Sequence, residues 1–287
     1  MDATRYIAPP YIPDTILDGW ENDFLTLRGA SVRGGSHRWE HTPRQDSFAA
    51  AFLPDKNWVV VAVADGVSGA PQSHIGATVA VNSAISYFAN TKTTRMERID
   101  WKQVCEAIAR DLNQTSASLK DYEHLLGTMG ETKHDIARAA LHYLATTLVC
   151  AVITESQRGD GLLAHVITVG DSGVWLLSEG SYDAVAGGKD ESSEITSNDV
   201  APLPYVPETV KPIEISVGPK DVLLFGTDGF GEPLGSGDGD LGLLFKAVLE
   251  SVPSTLSFAN ALDFTRKYFV DDRTLVAVWP RGTTRDS

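Results

Sequence analysis

Apolar residues along this chain fall mostly into short unbroken runs, and only some alternate with polar ones. FLTLRGASVR, SFAAAFL and NWVVVAVA predict three strands, the last two joined by the turn PDKN. After a glycine-rich bend, Val81, Ile85 and Phe88 fall at i, i+4 and i+7 within PQSHIGATVAVNSAISYFAN, a helical face. DWKQVCEAIARDLNQTSASLKDYEHLL places Val104, Ile108, Leu112 and Leu119 on one stripe, with Asp100 as its N-cap. DIARAALHYL predicts a short helix or a lead into the strand TTLVCAVI, and GLLAHVITVGDSGVWLLSEG predicts two strands joined through GDSG. TVKPIEISV and VLLFGTDG, around GPKD, predict a further strand pair. Leu241, Leu244, Phe245, Val248 and Leu249 mark one helical face, Phe258, Leu262 and Phe269 another, and RTLVAVW closes the chain as a strand.

Strict β-α-β alternation is absent, so a doubly wound parallel sheet is disfavoured and tight turns favour antiparallel pairing. Strands as apolar as VVVAVA need cover on both faces. The expected fold is α+β: a four-layer α/β/β/α sandwich, two mainly antiparallel sheets flanked by helix pairs. One domain is expected over residues 29–280. A proline- and tyrosine-rich extension (1–28) precedes it, a tail (281–287) follows it, and a long aperiodic loop (187–208) interrupts it.

Composition narrows the function classes. With 38 acidic against 24 basic residues the formal charge is -14, which disfavours a nucleic-acid partner. No apolar run reaches the roughly 20 residues of a membrane span, and the N-terminus lacks the basic and apolar regions of a signal peptide; a cytoplasmic protein without a membrane partner is expected. Cys105 and Cys150 are far apart and form no CxxC pattern, which predicts buried free thiols.

Several aspartates stand where apolar strands end: Asp65 after VVVAVA, Asp171 in VGDSG, Asp228 in TDGFGE, and Asp271 and Asp272 before the last strand. Asp46 precedes SFAAAFL. Any one Asp-Gly pair is an ordinary turn. Together, on strands apolar enough to be central, these carboxylates should converge at one end of the sheets. Clustered carboxylates resist ionisation unless cations sit between them, and oxygen ligands suit Mg2+ or Mn2+.

RQDSF, VVVAVADGVSG, ATTLVCAVI, HVITVGDSGVWLL, DVLLFGTDGF and DDRTLVAV occur, in this order, in a pattern that resembles the metal-dependent type 2C protein phosphatases. The likeness runs from about Ala30 to Trp279 and is nearest to the bacterial branch. It implies hydrolysis of phosphoserine and phosphothreonine in proteins, by water activated between two Mn2+ or Mg2+ ions, with a weaker third ion. It also implies a role in signalling, with a phosphorylated protein partner paired with a serine/threonine kinase, and a monomer.

Residue by residue, the likeness makes Asp65 the bridging ligand and Gly66 a carbonyl ligand of the second metal. Asp228 and Asp272 complete the first metal's shell, and Asp46 holds water from behind. Asp171 and Asp228 serve the third metal together with Glu232, which stands where the family has aspartate. The phosphate-gripping arginine is Arg44, with Arg38 and Arg33 as alternatives. Val67 replaces a histidine that in part of the family protonates the leaving group, so water takes that role or His37, His41 or His74 reaches in. Substrate choice is expected in the 187–208 loop, the position of the family's flap. Two alternatives stay open: a phosphatase-like module that has lost turnover and binds partners, and a phosphatase of small phosphate esters.

Overall fold

The computed structural model describes residues 12–119, 133–157, 161–187 and 201–281. In chain order the elements are β1 (Thr15–Glu21), β2 (Leu25–Val32), α1 (Gly35–Glu40), β3 (Ser47–Leu53), β4 (Trp58–Ala64), α2 (Ser73–Asn90), α3 (Trp101–Ser118) and α4 (Lys133–Leu144). They continue as β5 (Leu148–Glu155), β6 (Leu162–Val169), β7 (Gly173–Ser178), β8 (Ser181–Gly187), β9 (Ile213–Val217) and β10 (Val222–Gly226). The last are α5 (Asp228–Leu234), α6 (Asp240–Leu249), α7 (Thr255–Leu262) and β11 (Arg273–Pro280).

Two antiparallel sheets form, in the orders β1-β2-β11-β10-β7-β8 and β3-β4-β5-β6-β9. Side-chain parity along the strands explains the layers. Val59, Val61 and Val63 of β4 point between the sheets, where they meet Leu223, Phe225, Val276 and Val278 of the facing sheet. The intervening Trp58, Val60, Ala62 and Ala64 pack instead against α2 and α3 through Val81, Phe88, Val104 and Ile108. On the other side, Leu224, Leu275 and Ala277 pack on Phe230, Phe245 and Phe258 of α5, α6 and α7. Both faces of the central strands are therefore buried, so their sequences lack alternation. The four-layer expectation holds.

Three expectations need correction. The 1–28 extension contains β1, and its boundary falls inside β2; β1 pairs along its whole length with β2 at the sheet edge. Carrying Asp18, Gly19 and Glu21, it has an edge strand's polar pattern. Second, β6 and β7 are not paired with each other, nor are β9 and β10: the short connections GDSG and GPKD carry the chain from one sheet to the other. Third, α7 stops at Leu262, so Phe269 lies in a loop and not on that helix. Of the 187–208 loop, residues 188–200 lie outside the described residues, as do 120–132 at the end of the expected long helix.

Candidate metal centre

The register brings the acidic strand ends together. Ser47 faces Ala64 in the β3–β4 ladder, so Asp46 and Asp65, one residue beyond, stand side by side. Gly226 of β10 lies between Leu275 of β11 and Gly173 of β7, which delivers Asp228, Asp271 and Asp171 to the same end of the sandwich.

Asp65 is held through its backbone. Its N–H donates to Thr147 Oγ1 at 3.0 Å, and its C=O accepts from Thr147 N–H and Thr146 Oγ1, both at 2.8 Å. The two threonines of ATTL thus satisfy a strand end that has left its ladder. Thr147 Oγ1 also lies 2.8 Å from Ser172 Oγ, tying Asp171's neighbour to the same node. Gly66 is required next to it: a Cβ there would sit 2.8 Å from the backbone of Ser73, at the start of α2.

Asp46 is 3 % exposed, and its Oδ2 accepts from Thr227 and Thr274, each at 2.8 Å. A carboxylate from one sheet is therefore anchored by hydroxyls of the other. Arg44 is buried beneath it, donating to Ser31 Oγ at 2.7 Å and to the Asp46 carbonyl. Arg38 forms a two-point pair with Asp14, at 3.0 and 2.7 Å, and also reaches Asp263 at 3.0 Å. Arg33 donates to the His37 carbonyl. Each of the three arginines expected to grip phosphate is engaged elsewhere.

Burial raises the Asp65 carboxyl well above the usual range, aided by the charges of Asp46, Asp228 and Asp271. Burial likewise lifts Asp228 to about 6, although its hydrogen bond with Asp65 works in the opposite direction. Asp46 is raised by burial and the charge of Asp272, and Asp271, whose side chain reaches the surface, by the partial covering of its carboxyl and the charges of Asp272 and Glu232. Asp228 Oδ1 is buried without a hydrogen-bond partner. A set of hard oxygen donors that disfavour their own charge, one of them orphaned, fits a divalent cation. Asp171 and Glu232 border this set, and both raise Asp228 through their charge.

Asp272 is placed differently from the expectation. Its Oδ1 accepts from Gly34 N–H at 2.6 Å; its Oδ2 accepts from Gln45 N–H at 2.5 Å and lies 2.9 Å from His37 Nδ1. Both oxygens already have protein partners. Asp271, and not Asp272, is the one whose charge acts on Asp65 and Asp228; both act on Asp46. Gly34 is the residue that sequence reading passed over: a Cβ on it would lie 2.2 Å from the Asp271 carbonyl carbon, so only glycine allows this approach.

Of the three candidate histidines, His37 reaches the acids. Burial pulls its pKa down, but the Asp272 contact and the charges of Asp271 and Asp46 outweigh this and leave it raised. His37, Asp271 and Asp272 each present a ligand atom within 4.8 Å of the others. His74 is buried on α2, its pKa pushed down to about 4 by burial, and the exposed His41 caps α1.

Residues 33–261 match the family model described as Protein phosphatase 2C. No curated protein matches the chain. Among solved structures, a serine/threonine phosphatase of S. agalactiae is similar at TM-score 0.62 and 15% identity, over 90% of this chain and 100% of its own. RsbX in complex with magnesium is similar at TM-score 0.56 and 14% identity, over 93% and 100%. The Mycobacterium tuberculosis serine/threonine phosphatase PstP/Ppp is similar at TM-score 0.56 and 15% identity, over 89% and 98%.

Proposed function

Because the chain belongs to the protein phosphatase 2C family, we propose that the acidic cluster at the common end of its two sheets is the catalytic centre. The protein is a metal-dependent serine/threonine protein phosphatase. The observation that carries the assignment of the centre is the convergence of Asp65, Asp228 and Asp271, with raised carboxyl pKa values and an orphaned Asp228 oxygen.

In this reading Asp65, Asp228, Asp271 and the Gly66 carbonyl would hold two divalent ions, Mg2+ or Mn2+. Asp171 and Glu232 serve a weaker third. The ions supply Lewis-acid polarisation of the phosphoryl oxygens and lower the pKa of a nucleophilic water. Asp271 takes the role expected for Asp272, whose oxygens are already engaged. Thr146 and Thr147 fix the direction from which Asp65 enters the cluster, and Thr227 and Thr274 do the same for Asp46. In-line attack forms a new P–O bond to a water oxygen, which gives up a proton to solvent, as the seryl or threonyl P–O bond breaks. With Val67 in the motif, water protonates the departing oxygen. The substrate's phosphoester is the product of a kinase acting on serine or threonine, and the setting we assign is the cytoplasm. Among the described residues no helix is long and apolar enough to cross a membrane.

The test is phosphate release from a phosphothreonine peptide with Mn2+, with chelator, and with Asp65→Asn. Turnover should require the ion and fall on the order of 100-fold or more in the variant. Mn2+ binding without phosphate release in the parent protein would favour the partner-binding alternative.

A further inference from the structure

Large apolar side chains are left exposed beside the acidic cluster. Trp39 on α1 is 86% exposed, Tyr268 82% and Val270 49%. A monomer rarely leaves a contiguous patch of this kind uncovered without a binding role. The chain geometry brings α1, which carries Trp39, against the segment that carries Tyr268 and Val270. Ser36 donates to the Val270 carbonyl through its N–H at 3.0 Å and its hydroxyl at 2.8 Å, and a Cβ on Gly35 would stand 3.9 Å from Val270 Cβ. Trp39 is four residues beyond Gly35, so it projects from the same face of α1 as the residue nearest Val270.

Tyr268 is presented by a tight turn. Its φ of 73° lies in the left-handed region, which a bulky residue rarely adopts. The turn is fastened by Phe269 N–H donating to the Arg266 carbonyl at 3.1 Å. The Arg266 guanidinium donates to the Pro233 carbonyl and lies 5.1 Å from the centre of the Phe269 ring. Tyr268, Phe269, Val270 and Ser36 line a cavity of about 160 Å3 together with Asp228, Glu232 and Asp271. Lys267, exposed, places its ammonium 4.9 Å from the Tyr268 ring. Arg33, Arg38 and Arg44 are engaged elsewhere, whereas the exposed Lys267 directly precedes the cavity-lining Tyr268 and keeps its ammonium against that ring.

We propose that Trp39, Lys267 and Tyr268 form the docking rim for the phosphorylated segment of the protein substrate, with Lys267 contacting the phosphate and the two rings packing on its flanking residues. This rests on the phosphatase reading. The occupant is an extended phosphopeptide with apolar residues next to the phosphoserine or phosphothreonine. A negatively charged group approaching a protein of charge -14 needs a local cation, which the 265–270 turn provides. The rings supply apolar area on rigid side chains. Substrate choice is thereby assigned to α1 and this turn.

The experiment compares kcat/KM for a phosphothreonine peptide with apolar flanks and for p-nitrophenyl phosphate, in the full chain with Mn2+. Mn2+ affinity is measured in parallel by calorimetry. For Trp39→Ala and Tyr268→Ala the peptide-to-ester ratio should fall about tenfold, mainly through KM of the peptide. Tyr268→Phe, which keeps the ring, should restore most of the ratio. Lys267→Ala should raise KM for both substrates several-fold without changing Mn2+ affinity. An unchanged ratio in both alanine variants overturns the rim while leaving the phosphatase intact. So does a parallel fall for both substrates accompanied by weaker Mn2+ binding. Failure of the parent protein to turn over either ester overturns the phosphatase reading, and the rim with it.

Discussion

Asp271 and Asp272 are chemically identical neighbours, and only the backbone separates their roles. Asp272 is 2% exposed, with its two oxygens on Gly34 N–H and Gln45 N–H. Asp271 is exposed beside Asp228 and Glu232. Asp272→Asn would turn an NH2 group toward a backbone N–H, leaving a buried donor unmatched at a cost of about 1–3 kcal/mol. That variant should melt several degrees lower. Asp271→Asn removes a ligand charge from the rim of the cluster, so it should melt near the parent temperature and lose about tenfold or more in Mn2+ affinity. Calorimetry and thermal melts on the two variants check this; strong loss of affinity with unchanged melting in Asp272→Asn would reverse the assignment. Sequence shows two adjacent acids before a strand but not which way the chain turns between them. The arginines pose the same difficulty. Arg44 sits beside Asp46 in sequence, yet its guanidinium runs under the sheet to Ser31, a contact across 13 residues that no local pattern signals.

At the level of elements, the central strands were legible because burial on both faces writes itself as an unbroken apolar run. The edge strands of the six-stranded sheet were not: β1 carries Asp18 and Glu21, and β8 exposes Ser181, Asp183 and Ala184 to solvent, so neither has a strong apolar signature. Pairing was legible only where a turn joins strands of one sheet, as between β3 and β4. The same kind of short connection between β6 and β7 crosses the sandwich, and composition does not distinguish the two cases. One layer can be tested directly. Cys105 on α3 and Cys150 on β5 share the core between the five-stranded sheet and its helices. Burial pushes the Cys105 thiol up to about 12 and raises Cys150 as well. A thiol that is both covered and protonated does not attack electrophiles. Thiol titration should therefore detect neither cysteine in the native protein and both in denaturant; a fast-reacting cysteine in the native state would mean that α3 does not cover the sheet as described.

For the whole molecule, the acidic cluster sets the net charge of -14 against stability at the place where the two sheets end together. Carboxyls whose folded pKa is raised stabilise the ion-free protein only while they stay protonated. For Asp228, lifted to about 6 from 3.8, that contribution is fully present below 3.8 and is lost as pH rises through about 6. Asp65, Asp46 and Asp271 shift in the same direction. A divalent cation acts oppositely, because it binds the ionised cluster and releases its protons. At a hundredfold excess over its dissociation constant it would add about 2.7 kcal/mol. The melting temperature gained on adding Mn2+ should thus be largest near pH 7.5, shrink as pH falls through about 6, and be nearly gone by about pH 4. Asp228→Asn should flatten this profile by weakening the gain at pH 7.5. Melts with and without Mn2+ across that range decide it: a gain independent of pH would place the ion on groups other than these carboxylates.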